Sequence, residues 1–288
     1  SVFNFRKKGK SESIITDDEY LEYVNKAKEH CKRGDVFQLV LSRRFMQKFS
    51  GDEFNVYRAL RSINPSPYLF FFDYGDYKIF GSSPEAQIII KDGKSEIHPI
   101  AGTFKRTGND EEDHNAAKEL AKDPKENSEH IMLVDLARND LSRSGNNVKV
   151  EKNREIQFYS HVIHLVSKVT AILKKNIKSF KVVEDTFPAG TLTGAPKHRA
   201  LELIEKYEKV NRNFYGGAIG YIDFNGNFNH AIIIRSFFSK NNILNYQAGA
   251  GIVIDSIPEK ELEEVRNKLG ALDKALNEAE LIKWKKYF

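Results

Sequence analysis

The sequence predicts an α+β fold in which antiparallel sheets are flanked by helices. Short β-branched and aromatic runs, separated by turn signals, fill residues 36–99, helical periodicity follows in residues 111–141, and strands return in residues 217–254. Runs of strands interrupted by runs of helices are typical of α+β proteins, not of alternating βαβ units. The sequence shows no repeat or linker. We therefore expect residues 16–288 to form one domain after an extension over residues 1–15.

The first element is a helix that begins after Thr16. Thr16 and Glu19 match a capping box, in which each side chain accepts a hydrogen bond from the other residue's backbone amide. Gly34 is suited to end this helix. The only cysteine of the chain lies on its buried side, so we interpret it as a core residue. That side is formed by Tyr20, Val24, Ala27 and Cys31.

The later elements follow from turn signals and periodicity. Tyr74-Gly75-Asp76 and Asp92-Gly93 predict hairpin turns in antiparallel sheet. The helical stretch from Glu111 to Leu141 breaks near Pro124, because proline interrupts a helix. We further predict a strand over residues 162–173, a helix over 196–210, three strands over 217–254 with turns at 225–226 and 241–242, and an amphipathic helix from residue 258.

Composition narrows the function class. The net charge of +5 comes from 45 basic and 40 acidic residues that are spread along the chain. Nucleic-acid binders usually cluster such an excess, so we expect no nucleic-acid partner. The sequence has no apolar run of ~20 residues and no secretory signal at its start, and we expect a cytoplasmic protein with no membrane partner.

Two predicted helices carry carboxylates beside their apolar sides. Glu126 and Glu129 lie three residues apart, and so do Glu261 and Glu264. A carboxylate next to a buried stripe needs a partner, and two such helices could supply oxygen ligands for magnesium. Spacing alone favours the simpler interpretation, a solvated helix face.

Three glycine-rich segments form a second set of candidates. Glycine lets backbone amides approach an anionic ligand closely, but any one such segment is more often a turn or a bulge. The first segment does not match a phosphate loop, because its glycine spacing differs and because Lys197 is followed by His198 and not by Ser or Thr. The segments are FPAGTLTGAPK (residues 187–197), YGGAIGY (215–221) and QAGAGI (247–252).

Two polar residues lie on predicted apolar strands. Arg235 ends the run AIIIRS, where an inward guanidinium would bind a carboxylate with two hydrogen bonds. His164 shares a strand face with Val162 and Val166, whereas His161 points to the opposite face, so we expect one of the two histidines to be buried. A buried histidine is more often a satisfied core residue than an acid or base.

The ordered motifs PIAGT (residues 99–103), SEHIMLVDLARNDLSR (128–143), FPAGTLTGAPK, YGGAIGY, IIRS, QAGAGIV and DSIPEKELEEVRNK strongly resemble the chorismate-binding enzymes, most closely anthranilate synthase component I. The resemblance covers about residues 35–276. It implies the fold of that family, with mostly antiparallel sheets packed as a sandwich. It also implies the partners chorismate and ammonia, and the cofactor Mg²⁺.

The resemblance assigns roles position by position. Glu129 and Glu264 match the family's magnesium ligands, with Glu126 and Glu261 as outer carboxylates. Substrate contacts are implied for seven residues: Gly102, Thr103, Tyr215, Arg235, Gly249, Ala250 and Gly251. Catalytic positions are implied for three: His164, Glu85 and Thr191.

Two positions select the reaction within the family. Isochorismate-forming and salicylate-forming relatives carry a water-activating lysine where this chain has Gln38, and aminodeoxychorismate-forming relatives carry a lysine nucleophile where it has Ala101. Ammonia therefore remains as the nucleophile at C2, and the expected product is anthranilate. The alternatives are aminodeoxychorismate synthase, isochorismate synthase or a non-catalytic chorismate-binding module.

The expected mechanism gives two residues proton-transfer roles. Either Glu85 or His164 assists the departing C4 hydroxyl, and His164 then removes the C2 proton so that pyruvate is expelled. Cys31 lies in no glutaminase motif, so the resemblance implies a separate glutamine amidotransferase subunit. Component I proteins are usually longer, with an N-terminal region that completes a tryptophan site. Only a remnant of that site is expected here, at Asn64, Pro65, Pro67 and Tyr68, and we expect weak or absent inhibition by tryptophan.

Overall fold

The structure is a computed structural model that describes residues 4–158 and 162–282; the side chains of residues 101, 103, 105, 125 and 162 are outside the description. His161 also lies outside the described residues. Within the described part the chain forms seven α-helices. They are α1 (Asp17–Lys32), α2 (Phe54–Ile63), α3 (Asp110–Lys122), α4 (Pro124–Ser144), α5 (Ser179–Thr186), α6 (Lys197–Tyr207) and α7 (Pro258–Ala279).

Fourteen strands are described, and they form two antiparallel sheets of seven strands each. In chain order they are β1 (Arg6–Ser13), β2 (Gln38–Ser50), β3 (Tyr68–Asp73), β4 (Tyr77–Ser83), β5 (Ala86–Lys91), β6 (Lys94–Ile97), β7 (Ile100–Lys105), β8 (Gly145–Phe158), β9 (Val162–Leu173), β10 (Gly194–Ala195), β11 (Ala218–Ile222), β12 (Phe228–Ile232), β13 (Ser236–Lys240) and β14 (Ile243–Ile252). The predicted α+β class is confirmed.

The chain divides into two compact units that no change in sequence composition marks. Unit 1 comprises residues 1–84, 192–218 and 232–288, and unit 2 comprises residues 85–191 and 219–231. Residues 6–13, predicted as part of an extension, form β1 and pair with β2.

Unit 1 is built on the sheet with the order β1-β2-β14-β13-β4-β3, with β10 paired to β2. Its longest pairing runs from Ile243 opposite Lys48 to Ile252 opposite Leu39. The helices α1, α2, α6 and α7 pack on this sheet and on one another. The predicted apolar stripe of α7 is buried, with Leu262, Val265, Leu269 and Leu272 in the core.

Unit 2 is built on the sheet with the order β11-β12-β5-β6-β9-β7, with β8 paired to β9. Helix α4 packs on β7, β8, β9 and α5, and α3 packs on β7. The core beneath α4 contains Val134, Ala137 and Leu141 from the helix and Val169 and Ala171 from β9. These contacts fix α4 against the strand that carries His164.

The predicted element boundaries are largely confirmed. Thr16 and Glu19 form the capping box of α1, and α3 ends at Lys122, just before Pro124. The prediction of three strands in residues 217–254 was wrong, since four form. The predicted strand is interrupted after Ile232, where β12 of one sheet ends. Arg235 then adopts a left-handed conformation with φ +51°, and β13 of the other sheet begins at Ser236.

Candidate active site

In unit 2, His164 is held by the backbone of the neighbouring strand. Its Nδ1 atom lies 2.8 Å from the carbonyl oxygen of Gly102. The pairing of β7 with β9 shifts between Ala101 and Thr103, which marks an irregularity at Gly102, where φ is +71°. A bulge of this kind turns a carbonyl out of the regular ladder. The half-buried His164 therefore has a fixed ring orientation.

Glycine at position 102 is also required by close packing. A Cβ atom there would lie 2.5 Å from Cδ1 of Leu120 and 3.0 Å from Oε2 of Glu126. The Glu126 carboxylate thus lies beside the backbone that holds His164. The side chains of Ala101 and Thr103, which the sequence implicated in the same motif, fall outside the described part of the chain.

The local sequence places Glu126 and Glu129 on the first turns of α4. Asp123 caps the helix, because its side chain accepts from the Glu126 amide at 3.0 Å, and Pro124 occupies the first turn. Both glutamates are half-buried, and Leu133 farther along the same side is 4% exposed. The predicted carboxylate pair beside a buried stripe is therefore present.

Glu85 and Thr191 meet in unit 2. The Thr191 hydroxyl donates to Oε1 of Glu85 at 3.0 Å, and both side chains are half-buried. The preceding residue, Gly190, packs on α4 so closely that a Cβ would lie 2.2 Å from Cδ2 of Leu136. The contact fixes the Thr191 segment against the helix that carries Glu126 and Glu129.

In unit 1, Tyr215 lies next to β14. Loss of solvent around its hydroxyl raises the pKa of Tyr215 to about 12, while the positive charges of Arg212 and Arg235 and a hydrogen bond with the Gly249 backbone oppose that rise. The phenol is therefore neutral at physiological pH. Its hydroxyl lies within the electrostatic reach of two guanidinium groups, as a residue that binds an anionic substrate group requires.

Arg235 lies between the ends of two strands. Its carbonyl accepts from the Ser82 amide at 3.1 Å, and its side chain is half-buried. The sequence predicted that an apolar strand would carry this arginine, but the strand ends at Ile232 and Arg235 lies in the turn that leads to β13. A φ of +51° lies outside the β region, so Arg235 does not continue the strand.

The second glutamate pair begins α7 in unit 1. Glu261 is 1% exposed and Glu264 is half-buried. Lys268, one turn farther along, lies 2.6 Å from Oε1 of Glu264 and donates to the Gly249 carbonyl at 2.9 Å. Burial raises the pKa of Tyr20 well above its usual range, and the negative charges of Glu261 and Glu264 act in the same direction. Tyr20 therefore lies close to both glutamates.

The glycines in these segments mainly allow neighbouring backbone segments to pack closely against each other. Residues 247–252 lie within β14 and pair with β2, and a Cβ at Gly249 would meet the Leu41 carbonyl oxygen at 2.8 Å. In YGGAIGY, the Gly216 amide donates to the Ile233 carbonyl at 3.0 Å, and Gly216 has a φ of +75°. These two segments are a turn and a tightly packed strand. The Gly249 backbone also hydrogen-bonds to the Tyr215 hydroxyl.

Other predicted residues have definite places in unit 1. Gln38 begins β2, is 1% exposed and pairs with Ala195 of β10. The remnant tryptophan segment joins α2 to β3: Asn64 and Tyr68 are half-buried, whereas Pro65 and Pro67 are exposed.

Sequence reasoning missed three residues near these clusters: Lys268, Arg212 and the hydroxyl of Tyr20. Lys268 follows Glu264 at the (i, i+4) spacing of helical ion pairs, which could have indicated it. Glu208 and Arg212 are likewise four residues apart and precede YGGAIGY. Tyr20 was predicted only as a core residue of α1, because helical spacing does not show where a buried hydroxyl points.

Comparison with known proteins agrees with the motifs. Residues 3–274 match the family of chorismate binding enzymes. The chain belongs to this family. An anthranilate synthase component 1 from Aquifex aeolicus is 48% identical over 270 residues, and the match covers 93% of this chain and 55% of the relative. The chain spans about half the length of the curated relatives it matches.

Solved structures of the family have the same fold. Anthranilate synthase component I from Streptococcus pneumoniae matches with a TM-score of 0.85 and 41% identity, covering 91% of this chain and 59% of that one. A putative 2,3-dihydroxybenzoate-specific isochorismate synthase from Bacillus anthracis matches with a TM-score of 0.85 and 29% identity, covering 95% of this chain and 75% of that one. The fold expected from the family is thereby confirmed.

The glutamates of this chorismate-binding enzyme have the donor chemistry for Mg²⁺. Each pair offers only carboxylate oxygens, and Mg²⁺ is usually bound by one or two carboxylates together with water and substrate oxygens. Across residues 4–158 and 162–282, no group of three or more His, Cys, Asp or Glu side chains is assembled as a metal site. The two glutamate pairs therefore fit Mg²⁺ in their donor chemistry. Among the described helices, none has the length and apolar character needed to cross a membrane.

Proposed function

We propose that this chain converts chorismate and ammonia into anthranilate, pyruvate and water. The observation that carries the proposal is the pair Gln38 and Ala101, which stand where related enzymes with other products carry lysine. The buried Gln38 amide is not a base that could activate water. A methyl group at position 101 cannot act as a nucleophile. With both lysines replaced, ammonia is the nucleophile that the site leaves for C2.

Tyr215 and Arg235 are proposed to hold the enolpyruvyl carboxylate of chorismate. A guanidinium and a neutral phenol can both donate hydrogen bonds to a carboxylate. The effect of Arg235 on the pKa of Tyr215 supports a shared site for these two groups in unit 1. Gly102, Thr103 and the segment Gly249–Gly251 would supply further contacts through their backbones.

Proton transfer is assigned to unit 2. His164 would remove the C2 proton after amination, and the C2 electrons would then form the aromatic ring as the C–O bond to the pyruvyl group breaks. Glu85 is one candidate acid for the departing C4 hydroxyl, and His164 is the other. The hydrogen bond from Thr191 orients the Glu85 carboxyl group.

Mg²⁺ is the proposed cofactor, with Glu129 and Glu264 as ligands and Glu126 and Glu261 as outer carboxylates. When bound, the ion would neutralise the ring carboxylate of chorismate and favour departure of the hydroxyl. Glu129 on α4 and Glu264 on α7 would hold the ion, and Lys268 contacts Oε1 of Glu264 at 2.6 Å.

The metal proposal has a matched test on one helix. Glu264→Gln should raise the Mg²⁺ concentration needed for half-maximal turnover by at least ~10-fold, since one carboxylate ligand is lost. Glu263→Gln, at the adjacent exposed position, removes the same charge and should leave that concentration unchanged. Equal Mg²⁺ requirements in the two variants would contradict the assignment of Glu264.

Isochorismate synthase is the second candidate, because a structure of that name matches over 95% of this chain. Aminodeoxychorismate formation is a third, and a non-catalytic chorismate-binding module a fourth. Product identification by liquid chromatography and mass spectrometry separates them. Anthranilate supports the proposal. An isomer of chorismate, or a ring aminated at C4 that keeps its enolpyruvyl group, supports a relative's reaction, and unchanged chorismate supports the binding module.

A glutamine amidotransferase partner is proposed as the source of ammonia. The relatives' name, component 1, indicates an enzyme of more than one component. We further propose that the chain acts in the cytoplasm, in tryptophan biosynthesis.

A further inference from the structure

Arg212 is the centre of a buried polar network in unit 1. Its Nε atom donates to Oε2 of Glu208 at 2.8 Å and its Nη2 atom to Oε1 at 2.6 Å, so the pair is bidentate. The two side chains are 15% and 5% exposed. A buried ion pair is stable only if further hydrogen bonds satisfy both groups.

The remaining donors of Arg212 bind carbonyls from two other segments. Nη1 donates to the Leu192 carbonyl at 2.6 Å, and Nη2 also donates to the Val40 carbonyl at 2.8 Å. Leu192 belongs to the FPAGTLTGAPK motif, and Val40 lies on β2 two residues after Gln38. One guanidinium thus joins two segments that carry candidate site residues.

Glu208 extends the network to β14. Its Oε1 atom accepts from the amide and the hydroxyl of Ser42, at 2.8 and 2.7 Å. Ser42 pairs with Gly249 in the sheet, and its hydroxyl also accepts from Gln247 at 2.6 Å. The network therefore fixes the strand position against which the Tyr215 hydroxyl rests.

Arg212 also contacts Tyr215 directly. The Tyr215 amide donates to the Arg212 carbonyl at 3.0 Å, and the guanidinium carbon lies 5.7 Å from the centroid of the Tyr215 ring. At that distance a guanidinium over an aromatic face is attracted by the ring. The Tyr215 ring therefore faces the Arg212 guanidinium, and its hydroxyl contacts the Gly249 backbone, whose strand partner Ser42 is held by Glu208.

We infer that Glu208 and Arg212 form a positioning pair that sets Tyr215 for binding the substrate carboxylate. The pair does not touch the substrate; it acts through Tyr215. This inference rests on the proposed function, in which Tyr215 holds the enolpyruvyl carboxylate of chorismate. A pair that only stabilised the fold would change the stability of the enzyme but not its affinity for chorismate.

The test is a double-mutant cycle between Arg212→Lys and Tyr215→Phe in the full chain. Lysine keeps the charge at position 212 but cannot form the planar fork to Glu208. Arg43→Lys is the matched control: Arg43 is 5% exposed, and its guanidinium binds the Ser13 hydroxyl, the Ile15 carbonyl and Asp17. The readouts are KM and kcat for chorismate, its Kd by calorimetry and the melting temperature.

We expect Arg212→Lys to raise KM and Kd about 10-fold, which corresponds to ~1.4 kcal/mol. Arg43→Lys should lower the melting temperature yet keep KM within about 2-fold, because the partners of the Arg43 guanidinium are not those of Arg212 or Glu208. In the Tyr215→Phe background, Arg212→Lys should add little to KM and Kd, since the group it positions has already been removed. If Arg212→Lys does not fold, Glu208→Gln replaces it, since the amide weakens the fork while keeping its shape.

The outcomes separate this inference from the proposed function. Additive effects of the two substitutions on Kd, or a KM that Arg212→Lys does not change, overturn the positioning role alone. If the wild-type chain binds chorismate but forms no anthranilate, the proposed reaction is wrong, and the cycle in Kd still decides the positioning role. Absence of chorismate binding by the wild-type chain overturns both.

Discussion

The Nδ1 atom of His164 lies 2.8 Å from the carbonyl oxygen of Gly102. A carbonyl oxygen can only accept, so in the neutral ring Nδ1 carries the proton and Nε2 presents the basic lone pair. The backbone of one strand thereby selects the tautomer of a histidine on the next. This is the tautomer that the proposed removal of the C2 proton of the substrate by His164 requires.

Replacing His164 by glutamine should separate the two steps of the reaction. If His164 removes the C2 proton, the variant aminates chorismate but releases little pyruvate, and the aminated ring accumulates. Coupled detection of pyruvate and mass spectrometry of the products measure both steps. A variant that forms neither product would assign His164 to the departing hydroxyl instead, and normal pyruvate release would exclude both roles.

Thr191→Val should lower kcat by roughly 3- to 10-fold with little change in KM, because it removes one hydrogen bond that orients Glu85. Glu85→Gln should cost ~100-fold or more if Glu85 is the acid, as general acids typically contribute. Steady-state kinetics of both variants test which substitution lowers kcat more. A larger loss from Thr191→Val than from Glu85→Gln would contradict the role of Glu85.

Gly102→Ala and Gly108→Ala separate backbone strain from packing. Both glycines have positive φ, +71° and +86°, so each alanine should destabilise the fold by about 1 kcal/mol. A Cβ at position 108 meets nothing within 4 Å, whereas at position 102 it meets Leu120 and Glu126. We expect Gly102→Ala to cost a further ~1–3 kcal/mol in urea unfolding and most of the activity. Equal losses in both variants would refute the packing argument.

The Cys31 thiol should react slowly with disulfide reagents in the folded chain. Burial raises its pKa from 9.0 to about 11, so near pH 8 the thiolate population is about 100-fold smaller than that of an unperturbed thiol. Its contribution to stability is complete below pH 9 and is lost as the pH rises through 11, because the unfolded chain releases the proton first. Reaction with a disulfide reagent at pH 8 tests this, with the denatured chain as the fast reference. Equal rates in the two states would contradict burial.

Local rules predicted the elements that depend on local chemistry. The capping box of α1, the break at Pro124 and the apolar stripe of α7 follow from residues a few positions apart, and all three are present. Strand β8 has a mostly exposed, charged sequence without clear alternation, and it forms because β9 pairs with it. Sequence periodicity does not show that kind of pairing.

The sequence motifs proposed the residues of the candidate site, but they did not show which groups hold those residues in place. The motifs identified His164, Glu85 and Tyr215, but the atoms that orient them come from distant segments: the Gly102 carbonyl, the Thr191 hydroxyl and the Arg212 guanidinium. Gly102 and His164 are 62 residues apart and Glu85 and Thr191 are 106 residues apart, so no spacing rule connects them. Only for Arg212 and Tyr215, three residues apart, was a local signal available.

The proposed conversion of chorismate into anthranilate and pyruvate is tested most directly by measuring anthranilate fluorescence and pyruvate release in the same reaction. The purified chain is incubated with chorismate, Mg²⁺ and excess ammonium at mildly alkaline pH, where free ammonia is available. We expect anthranilate and pyruvate to appear in equal amounts and both to disappear on addition of EDTA. Turnover of chorismate without anthranilate, or equal turnover with and without the metal, would contradict it.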